Sequence, residues 1–210
     1  PAIQTYGYTP ASVLQDEPTN FGGYTPRNSG YAYYGPVTIR TALKNSLNVC
    51  AVALLNQIGI QAGMDYLSSV GIPLDARDGN LSLALGSMTY GVSPVILAAA
   101  YSPFANGGVY HEPYFIEKIT DLDGRIIYQH LDSGTRVLSA QSAYLMTDML
   151  RTVTTSGTGA KLSGAGVQVA GKTGTVNMTG GGNRDVWMAA YPAEVSMGTW
   201  MGFDNPDSSH

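Results

Sequence analysis

The stretch GVQVAGKTGTVN, residues 166–177, admits two readings that lead to different folds. Counted from Gly166 it spells G-x-x-x-x-G-K-T, a phosphate-binding loop between a strand and a helix; counted from Lys172 it is a strand bearing Lys-Thr-Gly-Thr. A phosphate loop needs a hydrophobic strand before Gly166 and a helix opening near Lys172, so that N–H groups at the positive helix end face the anion. The sequence before Gly166 is GAKLSGA, which is no strand, and after Lys172 comes TGTVNMTGGGN, whose threonines, valine and glycines resist a helix. Val167, Gln168, Val169 and Ala170 alternate as a strand does. A second phosphate-site strand ending in Asp is also missing, since Met146-Thr147-Asp148 falls inside a helical pattern. The strand reading therefore stands, and a sheet is expected around it.

Working outward, strands are expected over residues 167–176, 185–191 and 195–203. Their alternation and the aromatic Trp187, Tyr191 and Trp200 favour antiparallel pairing. Helices precede them. One is expected from Pro36, with Val37, Ile39, Leu43 and Leu47 on one side and the proline in the first turn. Others are expected over 49–58 with Gly59 as C-cap, over 61–70, over 93–106 with Ser93 as N-cap ahead of Pro94, and over 139–153. Two short strands over 112–120 and 125–129 are expected to join at Asp121-Leu122-Asp123-Gly124, a hairpin turn. Residues 1–36, rich in Pro, Gly, Tyr and Asn, read as ordered but irregular. Helices followed by a run of strands make an α+β fold, an antiparallel sheet flanked by helices.

At 210 residues the chain suffices for one domain with a sizeable core. Only 12% of it is charged and the net charge is -4, so there is no basic footprint for nucleic acid. A single cysteine, Cys50, excludes an internal disulfide framework and a cysteine-rich metal site. No apolar run reaches a membrane span, because Ser93, Pro94, Ser102 and Pro103 interrupt the longest candidate. Neither a metal nor a cofactor is implied: Asp121 and Asp123 are turn residues before calcium ligands, and His111 and His130 show no Ser/Asp partner pattern. The chain has no initiator Met and no signal peptide, and is expected to be part of something longer.

On a strand, Lys172 and Gly174 share one face and Thr173 and Thr175 the other. Gly174 leaves backbone uncovered, so an edge strand here could pair with an extended peptide, offer an N–H to an oxyanion and hold a carboxylate with lysine and threonine hydroxyls. That chemistry needs a nucleophile and a hydroxyl that relays a proton to a leaving amine. Ser46-Leu47-Asn48, between two expected helices, supplies such a hydroxyl. By spacing alone, Ser46 or Asn48 could equally cap the next helix and Lys172 could be a solvated strand lysine.

YTPASVL (residues 8–14), PVTIRTALKNSLNVCAVALL (36–55), SGTGAKLSG (156–164) and GKTGT (171–175) together resemble the transpeptidase domain of class A penicillin-binding proteins, through nearly the whole chain. The resemblance implies a penicillin-binding protein and serine β-lactamase-like fold. It also implies an enzyme at the extracytoplasmic face of the bacterial membrane that cross-links peptidoglycan stem peptides through an acyl-serine and is acylated by β-lactam antibiotics. Ser46 would relay the proton towards the leaving amine, helped by Lys172, and Asn48 would hydrogen-bond the substrate amide. Thr173 and Thr175 would bind the substrate carboxylate beside Gly174, with the Thr175 N–H as one oxyanion donor.

The family's Ser-x-x-Lys motif is missing, since no serine of the chain has lysine three residues later. Residues 1–210 are thus expected to be a transpeptidase domain truncated at both ends, inactive alone. A missing N-terminal part, with a glycosyltransferase domain and membrane anchor upstream, would supply the nucleophile. The rival readings are a serine β-lactamase, which lacks support because no Glu-x-x-Leu-Asn follows Ser46, and a non-catalytic penicillin-sensing or wall-binding module.

Overall fold

The computed structural model describes residues 1–178 and 181–203. Thr179 and Gly180, part of the glycine run weighed above, and residues 204–210 lie outside them. The chain opens with a helical turn, α1 (Ala2–Thr5), and two strands, β1 (Val13–Asp16) and β2 (Gly35–Thr38), paired antiparallel with Val13 opposite Thr38. This ribbon corrects the expectation of an irregular start. It also moves Pro36 out of the helix: Pro36 sits in β2 opposite Gln15, in a two-stranded ribbon that tolerates a residue without an N–H. The helix α2 (Ile39–Asn45) begins instead behind Thr38, whose hydroxyl accepts the Thr41 N–H.

Then come α3 (Asn48–Ile58), ended by Gly59 at φ 90°, α4 (Ile60–Ser69) and, after two short 3-10 turns, α5 (Pro94–Ala105). Ser93 caps α5 by accepting the Ile96 N–H, with Pro94 at the first helical position. Two small ribbons follow: β3 (Val109–Tyr110) pairs with β6 (Thr135–Arg136), and between them β4 (Lys118–Thr120) pairs with β5 (Ile126–Gln129). The first expected strand of this hairpin is shorter than residues 112–120, and β3 and β6 went unanticipated. The long helix α6 (Ala140–Ser156) is capped by Ser139.

The last three strands, β7 (Ala170–Asn177), β8 (Asn183–Tyr191) and β9 (Met197–Gly202), form an antiparallel sheet in that order, the widest among the described residues. Its register sets Lys172 opposite Ala189 and Gly174 opposite Trp187. Among the described residues β7 is an edge strand, paired only with β8. The α+β architecture is thus as expected, and no helix follows Lys172.

Helix α6 is the wall shared by two cores. Met149 packs with Leu14, Ile39, Ala42, Leu47 and Cys50, while Leu150 and Val153 pack with Ala170 and Tyr191 of the sheet. Residues one apart on a helix differ by about 100° in direction, so neighbours on α6 reach different cores. Thr154, buried, donates its hydroxyl to the Val169 carbonyl at 2.5 Å and ties α6 to the start of β7. The loop between α2 and α3 and the strand β7 are therefore both mounted on α6.

Candidate active site

Helix α2 ends in a left-handed residue that is not glycine: Ser46 has φ 56° and ψ 47°. An L-residue bears a steric cost there that glycine would not. In return the Ser46 and Leu47 N–H groups close on the Leu43 and Ala42 carbonyls, and the chain turns sharply into α3. Lys172, on β7, donates from Nζ to Ser46 Oγ at 2.7 Å and to the Thr173 carbonyl at 2.9 Å. Ser46 and Lys172 are 126 residues apart in sequence. Burial pushes the lysine down to about 8 from its ordinary 10.5, because a partly dry site disfavours the charged amine. The lysine is therefore poised to hold or release a proton near neutrality, and its closest oxygen is a serine hydroxyl.

Asn48 is the first residue of α3, and its amide donates to the Arg27 carbonyl at 2.8 Å. Neither Ser46 nor Asn48 caps α3. The Val49 N–H is taken by Asn28 Oδ1 at 3.2 Å, from the loop between β1 and β2. Asn28 in turn donates to the Ala32 carbonyl at 2.9 Å and to Asp16 Oδ1 at 2.8 Å. The other oxygen of Asp16 accepts the Tyr34 N–H at 3.0 Å. Asp16 is wholly buried and Asn28 is 4% exposed, so a buried carboxylate, an asparagine and the end of α3 form one chain of hydrogen bonds. Cys50 lies beside it on α3; burial, then the nearby Asp16, pushes its thiol up to about 12, and it is inert packing.

On β7, Thr173 Oγ1 lies 2.7 Å from Thr158 Oγ1, while Thr175 is exposed. Gly174 has a structural reason to be small as well as the expected chemical one, for a Cβ there would stand 3.2 Å from Trp187 Cβ. Ser46 also lines a cavity of about 350 Å³ with Asn28, Asn45, Ser156 and Thr158. No acidic residue is among its described lining.

His111, for which no acidic partner was expected, pairs through Nδ1 with Asp132 Oδ2 at 2.5 Å beside the β3–β6 ribbon. Asp132 is held below the ordinary carboxylate range by the Gly134 N–H and then by that histidine. His130 stacks on Tyr114, 3.8 Å between centroids. Asp121 Oδ1 accepts the N–H groups of Asp123 and Arg125, as a turn residue does, and no group of three metal-ligating side chains occurs among the described residues. Sequence reasoning missed Asp16, Asn28 and Thr158. The last lay inside the SGTGAKLSG phrase without a role.

A family model for the penicillin binding protein transpeptidase domain matches residues 1–207. Penicillin-binding protein 1F of Bacillus subtilis (strain 168) is 42% identical over 212 residues, covering all of this chain and 29% of that protein. Among solved structures, penicillin-binding protein 1A of Haemophilus influenzae superposes with a TM-score of 0.82 at 27% identity, over 94% of this chain and 35% of that one. The PonA1 protein of Mycobacterium tuberculosis in complex with penicillin V gives 0.83 at 26% identity, over 94% and 56%. The chain spans about a third or less of the curated relatives it matches, and 35% and 56% of these two structures. An edge strand carrying Lys-Thr-Gly-Thr, closed on Ser-Leu-Asn at the end of a helix, sits in a chain that belongs to the transpeptidase domain family of class A penicillin-binding proteins.

Proposed function

We propose that this chain forms the proton-relay and substrate-carboxylate walls of a D,D-transpeptidase site whose acylated serine lies in the rest of the polypeptide, the 210 residues being part of a domain. That serine attacks the penultimate D-alanine carbonyl of a stem peptide; the C–N bond breaks, the last D-alanine leaves as an amine, and an acyl-enzyme forms. The proton released by the attacking serine is relayed by Ser46, helped by Lys172, to the departing nitrogen. An amine of a second stem peptide then takes the acyl group. Asn48 hydrogen-bonds the substrate amide, Thr173 and Thr175 hold its carboxylate beside Gly174, and the Thr175 N–H is one oxyanion donor.

The observation that carries this reading is the 2.7 Å contact from Lys172 Nζ to Ser46 Oγ, made by an amine whose proton is loosened by burial. The open edge of β7 supports it, because an extended peptide can pair there. A β-lactam, which presents a strained amide and a carboxylate, fits the same walls; the similar PonA1 protein of Mycobacterium tuberculosis is in complex with penicillin V. No Glu-x-x-Leu-Asn pattern follows Ser46, which favours a long-lived acyl-enzyme over β-lactamase turnover. Work on stem peptides places the domain outside the cell membrane. No helix among the described residues is long and apolar enough to cross one.

The test is acylation of the complete protein by penicillin V, followed by mass spectrometry. Lys172→Ala is expected to slow acylation by roughly a hundredfold or more while the protein stays folded. An unchanged rate removes Lys172 from the site, and rapid release of hydrolysed penicillin replaces the transpeptidase with a β-lactamase.

A further inference from the structure

The contact between the Thr158 and Thr173 hydroxyls, 2.7 Å long, is used by none of the roles above. Thr158 is fixed on its other side too: its N–H donates to the carbonyl of Lys44, two residues before Ser46, at 3.2 Å. The turn that carries it is closed by the Gly157 and Gly159 N–H groups, both on the Val153 carbonyl. So close an approach requires glycine at 157, where a Cβ would stand 2.5 Å from the Lys44 carbonyl oxygen and 2.9 Å from that of Val153. The turn after α6 is thus a strap, fastened at one end to the tip of α2 and at the other to the Lys-Thr-Gly-Thr strand. Thr158 lines the same cavity as Ser46.

Each threonine hydroxyl has one proton and can accept two, while an ionised carboxylate only accepts. A lone Thr173 hydroxyl could turn its proton towards any acceptor nearby. If a second hydroxyl donates to it, that rotor is restrained, its own proton points away from the donor, and the bond to an anion is strengthened by polarisation. Lys172 takes the Thr173 carbonyl and not its hydroxyl, so Thr158 is the side-chain partner that the structure gives the Thr173 hydroxyl.

We propose that Thr158 is a positioning residue for the substrate carboxylate: it donates its hydroxyl to Thr173 Oγ1 and so aims the Thr173 proton at the carboxylate of a stem peptide or β-lactam. This rests on the reading of Thr173 as a carboxylate ligand given above.

The experiment compares acylation of the complete protein by penicillin V and by penicillin V methyl ester, which lacks the anion. Thr158→Val is expected to slow acylation by penicillin V roughly tenfold and by the ester less than about twofold, with Thr158→Ser restoring the acid's rate. Thr158→Ala, which keeps the backbone bond to Lys44, is the second variant should valine not fold, and is expected to match it. Equal slowing of acid and ester would make Thr158 merely structural and overturn the proposal, as would an unchanged rate with the acid. If the unaltered protein is not acylated at all, the transpeptidase reading falls and this one with it. Normal acylation of the unaltered protein with an indifferent Thr158 overturns this one alone.

Discussion

The wall around Ser46 and the β4–β5 hairpin differ in where their hydrogen bonds go. Around Ser46 they join distant segments: Lys172 to Ser46, Asn48 to Arg27, Val49 to Asn28, Asn28 to Asp16, and Thr158 to Lys44. In the hairpin they stay local, with the Asp121 N–H on the Arg125 carbonyl and the Asp123 and Arg125 N–H groups on Asp121. Burial follows the same division. Asp16 is fully buried, whereas Phe115, Leu122 and Leu131 are 88%, 107% and 86% exposed. The difference teaches that the site's geometry is over-determined by buried links between segments, while the hairpin's shape is set by its own turn. Substitutions in the first region should alter the whole domain, and in the second almost nothing.

The sharpest way to break the contrast is Asp16→Ala. It removes one of the two acceptors of the Asn28 amide and the acceptor of the Tyr34 N–H, and is expected to cost about 2–4 kcal/mol, at about 1–3 for each donor left unpaired, read as a lower urea midpoint. Acylation should fall as well, since Asn28 loses the partner that holds it against α3. A loss below about 1 kcal/mol would mean that the buried links do not carry the wall.

Next in size is Gly157→Ala. The added Cβ meets two backbone oxygens, which cannot swing aside as a flexible side chain could, so the strap must lift from Lys44. We expect a loss of about 1–3 kcal/mol in stability, with acylation by penicillin V reduced along with it. Retention of both would show that the strap has slack.

This wall also shows what sequence could and could not yield. The caps Ser93 and Ser139 are local signals from which two helices were legible, whereas the alternation in Val167–Gln168–Val169–Ala170 pointed to the right strand but three residues early, since β7 begins at Ala170. The β1–β2 ribbon was not, because a buried carboxylate at Asp16 breaks the alternation that marks a half-buried strand, and its compensating partner lies twelve residues on. Pro36 looked like a helix start because the next residues are helical, and only its pairing with Gln15 says otherwise. Ser46, Asn48 and Lys172 were legible as motifs, but their contacts were not: Asn28 as the cap of α3 and Thr158 beside Thr173 depend on the folded chain alone.

A subtler comparison lies within Lys172 itself, whose folded value near 8 falls below its unfolded 10.5. Between those values the unfolded chain binds more protons, so stability rises with pH from about 8 to 10.5 and the burden of a buried charge is fully present below about 8. Lys172→Met should therefore stabilise the domain, on the order of 1 kcal/mol near neutrality, with the gain vanishing above about pH 10.5. Urea midpoints at the two pH values check it. Acylation of the unaltered protein should meanwhile decline as pH rises through about 8, where Lys172 ceases to be a reliable donor to Ser46. A Lys172→Met variant less stable at neutral pH would mean that the Ser46 contact outweighs desolvation.

The smallest effect is expected at the hairpin tip. Leu122 stands in the turn Asp121-Leu122-Asp123-Gly124, fully exposed, and the turn is held by the Asp121 carboxylate and by Gly124 at φ 81° rather than by the leucine. Leu122→Lys removes no buried contact and places a charge in water, so stability should move by less than about 0.5 kcal/mol and penicillin V acylation not at all. The local turn predicts this outcome, because the side chain takes no part in the bonds that close it. A loss of 1 kcal/mol or more would show that the exposed apolar ribbon, with Phe115 and Leu131 at its ends, is covered in the complete protein, and that the hairpin too depends on a distant segment.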